Sequence, residues 1–110
     1  MKNLLLVTLL LIGKLGFSQI YGDLVKDKRQ VIQQIDYAIK GNSTGQIVFD
    51  IVVDEKGNVT SCVVDKAKTS VKSTPTMMKA KNSIVGGLKF KASSMYPQFH
   101  RGEVVIKIYQ

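Results

Sequence analysis

The sequence predicts an α+β domain: two helices packed on a small three-stranded antiparallel sheet, in the order helix, strand, strand, helix, strand. Three observations predict it. Apolar and polar residues alternate along 46–54 and again along 103–109, the period of a half-buried strand. A turn at Lys56-Gly57-Asn58 joins two apolar runs into a hairpin. Two other stretches, 23–40 and the one opening at Thr74-Pro75, carry apolar residues near 3.6 spacing. With 110 residues the chain has room for one domain, and 45% apolar against 22% charged residues is enough for a packed core.

Residues 1–18 read as a secretory signal peptide. Lys2 precedes an apolar stretch over 4–12 broken only by Thr8, and Gly16, Phe17 and Ser18 lead to a cleavage point before Gln19. That stretch is about half the roughly 20 residues a spanning helix needs, and Lys14 ends it. A short uncleaved anchor is the weaker alternative. The expectation is a periplasmic or otherwise exported chain with no membrane-spanning segment after cleavage.

The first helix is expected over 23–40. Asp23 can cap it, Leu24, Val31, Ile35 and Ala38 or Ile39 share a face, and Gly41-Asn42 can stop it. This makes 19–44 an N-terminal helical segment ahead of a main domain at 45–110. In the first strand Ile47, Phe49, Ile51 and Val53 form a dry face. Gln46, Asp50 and Asp54 lie opposite, with Val48 and Val52 among them. Gly57 can take the left-handed conformation that closes the turn, and the return strand is 59–65. "DEKGN" lacks the spaced acidic ligands and closing glutamate of a calcium loop.

After the polar link "DKAKTSVKS", Thr74 offers a cap and Pro75 a first helical position. Met77, Ala80 or Lys81, Ile84 and Leu88 make the buried face, and Gly86-Gly87 marks the end. Leu88-Lys89-Phe90 continues extended. The closing strand presents Val104, Ile106 and Ile108 on one face and Glu103, Val105, Lys107 and Tyr109 on the other.

Charge and chemistry narrow the function classes. The formal charge is +8, and without Lys2 and Lys14 the remaining 14 basic and 8 acidic residues leave +6. The lysines are scattered, as on a solvated surface, and export removes nucleic acid from the partners. The single cysteine, Cys62, excludes an internal disulfide and is expected as a small buried hydrophobe. One His and one Cys cannot supply the three or four convergent ligands of a metal site. No serine or cysteine stands in a nucleophile signature, and "GNSTGQ" lacks the phosphate-loop spacing. His100 is expected exposed in a loop, and Asp50, Asp54 and Asp65 are expected as solvent-face or strand-end groups. The chain is therefore expected not to be an enzyme, with no catalytic residue, no metal and no cofactor.

What remains is backbone. A three-stranded sheet has two edges, and an edge strand can accept an incoming peptide. The last strand has no chain after it, which makes Glu103, Val104, Val105, Ile106, Lys107, Ile108 and Tyr109 the expected partner-binding edge.

The ordered set Gly45, Asp54, Gly57, Val59, Lys89, Phe90 and Gly102, within "GQIVFDIVVDEKGNVTSCVV", "TPTMMKAKNSIVGGLKFKAS" and "GEVVIKI", resembles the TonB C-terminal domain family over 45–110. The resemblance implies a periplasmic domain whose last strand pairs with an extended segment of an outer-membrane transport receptor. The proline-rich spacer of energy transducers is not seen, and "IDYAIKGNSTG" stands where a Tyr-Pro pair is usual. Peptide or protein binding by strand addition is thus the part of the role the resemblance implies here. A self-associating structural protein of the envelope, as a homodimer or against anionic surface, is the alternative.

Overall fold

The computed structural model describes residues 19–110, so the signal-peptide expectation for 1–18 lies outside the described residues. The elements are β1 (Ile20–Tyr21), α1 (Asp23–Lys26), β2 (Val31–Gln33), β3 (Ala38–Lys40), β4 (Gly45–Val53), β5 (Val59–Val64), α2 (Thr74–Gly87), β6 (Lys89–Phe90) and β7 (His100–Tyr109). The class is α+β with two helices and a mainly antiparallel sheet. The main sheet has five strands rather than three, in the order β1-β7-β4-β5 with β3 also on β7, and β2 with β6 forms a separate pair. Among the described residues no helix is long and apolar enough to cross a membrane.

The expected 23–40 helix is corrected to one turn. Lys28 adopts φ 56°, the left-handed state that closes a helix. Its N–H reaches Val25 O at 2.9 Å while the Arg29 N–H reaches Leu24 O at 2.9 Å, so the last carbonyls are capped. Beyond that stop, Val31, Ile32 and Ile39 are β-branched and sit in short strands, where such side chains pack at less entropic cost. β3 runs parallel to β7, with Ile39 opposite Ile108.

β4 is the centre of the domain. It pairs antiparallel with β7 at every position from Gly45↔Ile108 to Val53↔His100. Its odd-numbered residues Ile47, Phe49, Ile51 and Val53 are at most 1% exposed and join Val104, Ile106 and Ile108 in one cluster. Burying each such side chain stabilises the fold by about 1.5–3 kcal/mol. The β4–β5 turn is held by the Asn58 N–H donating to Asp54 Oδ1 at 2.9 Å. Gly57 takes φ 88°, and a Cβ there would run into the Phe90 carbonyl, so glycine is required twice over.

α2 is capped by Ser73 rather than by the expected Thr74, which is its first residue: the Ser73 hydroxyl accepts from the Thr76 N–H at 3.4 Å, and Pro75 follows in the first turn. Its buried residues are Thr76, Ala80 and Ile84. Ala80 and Ile84 pack into the cluster formed by the dry face of the sheet, with Met77 partly buried beside them.

Candidate binding edge

The seven residues expected as a free edge are not one. Val104, Ile106 and Ile108 are core residues, at most 2% exposed. The other flank of β7 is occupied by the chain itself. Ile20 and Tyr21 pair with Val104 and Glu103, and Ala38, Ile39 and Lys40 pair with Lys107, Ile108 and Tyr109. The outward N–H groups are used: Val105 donates to Gln19 O at 2.9 Å and Lys107 to Tyr37 O at 2.8 Å. Glu103 accepts from Lys68 Nζ at 2.7 Å, and Lys107 Nζ donates to Gln46 Oε1 at 3.0 Å. The occupied flank has a steric cause. Gly102 lets the N-terminal segment approach, since a Cβ there would lie 2.5 Å from Leu24 Cδ1 and 3.0 Å from Tyr21 O.

Among the described residues β5 is the long strand with no neighbour on its outer side. In an antiparallel pair, ladder bonds alternate with positions whose backbone groups point outward. The Asp65 N–H bonds Val48 O at 2.8 Å, in the same register that pairs Asp50 with Val63 and Val52 with Ser61. These pairs carry the ladder, so the N–H and C=O of Cys62 and Val64 point away from β4. The β7 side obeys the same alternation, because there the outward amides are those of Val105 and Lys107. β5 ends the strand order, and its register shifts by one residue against Val52 and Val53, which bends its turn-proximal end. The lower half of β4, which β5 does not reach, is closed by side chains: the Val48 N–H donates to Thr69 Oγ1 and the Gln46 N–H to Ser70 Oγ, each at 3.0 Å.

Beside the end of β5 lies a cavity of about 360 Å³ lined by Val64, Lys66, Thr69, Val71, Lys72 and Met77. Val71 is buried and Val64 and Met77 are half-buried, so its walls are apolar, while Lys66 and Lys72 are exposed at its rim. Cys62 is 5% exposed and faces the core, and burial pushes its thiol up to about 11 although Lys81 pulls the other way. It is an inert small hydrophobe here.

Sequence reasoning missed a buried polar cluster at the other flank. Arg29 is 2% exposed, and His100, expected in the open, is 1% exposed. Arg29 donates to Asp54 O at 2.7 Å and to Lys91 O at 3.0 Å. It also lies 3.3 Å from His100 Nδ1. Because a guanidinium only donates, Nδ1 must accept, and the proton sits on Nε2, which donates to Asp27 Oδ2 at 2.7 Å. Tyr96 covers both groups, 4.5 Å from the guanidinium carbon and stacked on the imidazole at 5.3 Å. Burial draws the Arg29 pKa below its ordinary value, with Tyr96 and Asp54 opposing. The cluster ties the segment after α1 to the β4–β5 turn and the loop before β7. No local pattern announced it, because its partners are 71 and 73 residues apart.

Three carboxylates also converge on the polar face. Single oxygens of Asp50, Asp65 and Glu103 lie within 4.8 Å of one another. Burial and the charges of Asp65 and Glu103 raise the Asp50 carboxyl above its ordinary value, with Lys68 and Arg101 opposing. Lys68 bridges to Glu103 and answers part of this charge. Comparison with known protein families, curated proteins and solved structures gives no match.

Proposed function

We propose that this chain is an exported, non-catalytic binding or adaptor module of the cell envelope that captures an extended protein segment by adding it to its sheet, in the manner of TonB C-terminal domains and in connection with outer-membrane transport. The observation that carries the reading is the β5 edge, which among the described residues has no strand on its outer side, so that the backbone groups of Cys62 and Val64 point outward; at the opposite side the outermost strands, β1 and β3, are only two and three residues long. The acceptor is β5 rather than the closing strand, because a segment joining β7 would first have to displace β1 and β3.

The test is photocrosslinking in intact cells from Ser61 on β5, with and without Val64→Pro. Proline removes a donor that the β4 ladder does not use, so the fold is expected to survive, with the thermal melt lowered only by the lost packing of the half-buried Val64 side chain. Capture of an outer-membrane receptor segment that is lost in Val64→Pro is the expected outcome. Equal capture by both proteins rejects strand addition, and recovery of only the chain's own copies supports the alternative, self-associating role.

A further inference from the structure

We infer that the β5 edge carries one side-chain seat: the cavity beside Val64 receives a large apolar side chain from the residue of the added segment that stands opposite Val64. The seat rests on the strand-addition reading and adds to it the residue type that the partner must carry.

Residues directly opposite each other on neighbouring strands point their side chains to the same face of the sheet. Val64 turns its backbone groups outward, while its side chain packs against the core and lines the cavity of about 360 Å³. A residue paired with Val64 from outside therefore delivers its side chain to that cavity. Val71 and Met77 supply the other apolar walls, so burial of a leucine-sized group there is favourable. Thr69, the uncharged polar residue of the lining, has its hydroxyl engaged with the Val48 N–H at 3.0 Å and the Val48 carbonyl at 3.5 Å.

Lys66 and Lys72 complete the lining, and both are exposed, so their stems wall the cavity while the ammonium groups stay in water. No lining residue is acidic. A lysine or arginine seated there would meet like charge with no answering carboxylate, and a seated carboxylate would give up its water against valine and methionine. An uncharged apolar side chain suffers neither penalty.

The seat also sets the register. Backbone pairing is indifferent to sequence, and a strand displaced by two residues keeps the same faces. Cys62, the other outward position, is 5% exposed and does not line the cavity. An anchor moved two residues along, to stand opposite Cys62, loses the cavity, so one register is preferred. The residues flanking the anchor point to the other face, beside the exposed Val63, and play no part in the seat.

The experiment titrates the purified protein with capped peptides of the form Thr-Thr-Xaa-Thr-Thr, with leucine, alanine, aspartate or lysine at the centre, and follows amide and methyl NMR shifts. Threonine favours extended backbone and carries no charge. The leucine peptide is expected to bind at least about ten-fold more tightly than the alanine peptide and to shift the methyl signals of Val64, Val71 and Met77. The aspartate and lysine peptides should bind no better than the alanine peptide. Met77→Ala, its fold checked by thermal melt, enlarges the seat and should move the preference from leucine toward tryptophan. Two further leucine peptides carry methyl groups on one or the other alternate set of backbone nitrogens; only one set can face β5, so only one of the two should lose binding. Equal binding of the leucine and alanine peptides, with loss on one methylation, overturns the seat and leaves strand addition standing. A leucine preference without shifts at Val64, Val71 and Met77, or one unchanged in folded Met77→Ala, also overturns the seat. Undiminished binding of both methylated peptides overturns strand addition and the seat with it, and so does binding by none of the peptides.

Discussion

The two flanks of the main sheet end in opposite ways. On the β7 side, residues 19–40 fold back and supply two short strands, one antiparallel and one parallel, so the outward amides of Val105 and Lys107 are bonded. On the β5 side no strand follows among the described residues, and an exposed edge stands beside lysines and a bulge. Those are features by which natural edges discourage indiscriminate pairing without closing the edge. The difference teaches that the end of a chain is not the edge of its sheet. The last strand here is interior, and the available backbone lies one hairpin after the central strand.

The comparison can be broken most strongly at the covered flank. Arg29→Ala leaves the Asp54 and Lys91 carbonyls without their buried cationic donor and removes the partner of His100 Nδ1. A loss of about 3 kcal/mol is expected from chemical denaturation. Gly102→Val forces Leu24 and the Tyr21 carbonyl away from β7. It should cost about 2 kcal/mol and raise amide exchange at Val105 more than at Phe49, because β1 is dislodged while β4 stays paired.

The smallest effect lies on the polar face between the flanks. Asp50 is directly opposite Glu103, and its carboxyl is raised, so the folded state holds that proton to higher pH than the unfolded chain does. Its contribution favours the fold below the ordinary carboxylate range and is lost as pH rises through the raised value. Asp50 is exposed, so solvent screening keeps the effect small: Asp50→Asn should increase stability at neutral pH by at most about 0.5 kcal/mol, with the gain vanishing in acid. Thermal melts at several pH values would read this. An equal gain at all pH values would place the effect outside the carboxylate.

Much of the fold was legible where the signal is local. The alternation of β4 and β7, the Asp54-Gly57-Asn58 turn and the span of α2 each follow from period, turn chemistry or a cap within a few residues. The N-terminal segment was not legible, for three physical reasons. Leu24, Val31 and Ile35 mimic helical spacing by coincidence. The helix stop is a lysine in the left-handed state, where glycine or asparagine is the usual sign. Strands of two or three residues are too short to show alternation, and β3 finds its parallel partner 69 residues further along the chain. The same non-locality hid His100, whose burial depends on Arg29 and Asp27. It also moved the candidate site from Val105, Lys107 and Tyr109 to Cys62 and Val64, because which strand is outermost depends on what residues 19–40 cover.

Native-state amide hydrogen exchange by NMR tests the central claim most directly, since it reads each strand's outward backbone groups one by one. The account predicts slow exchange at Val105 and Lys107, fast exchange at Cys62 and Val64, and slowing of the latter pair alone when a partner segment binds. Fast exchange at Val105 and Lys107 with protection at Cys62 and Val64 would contradict it.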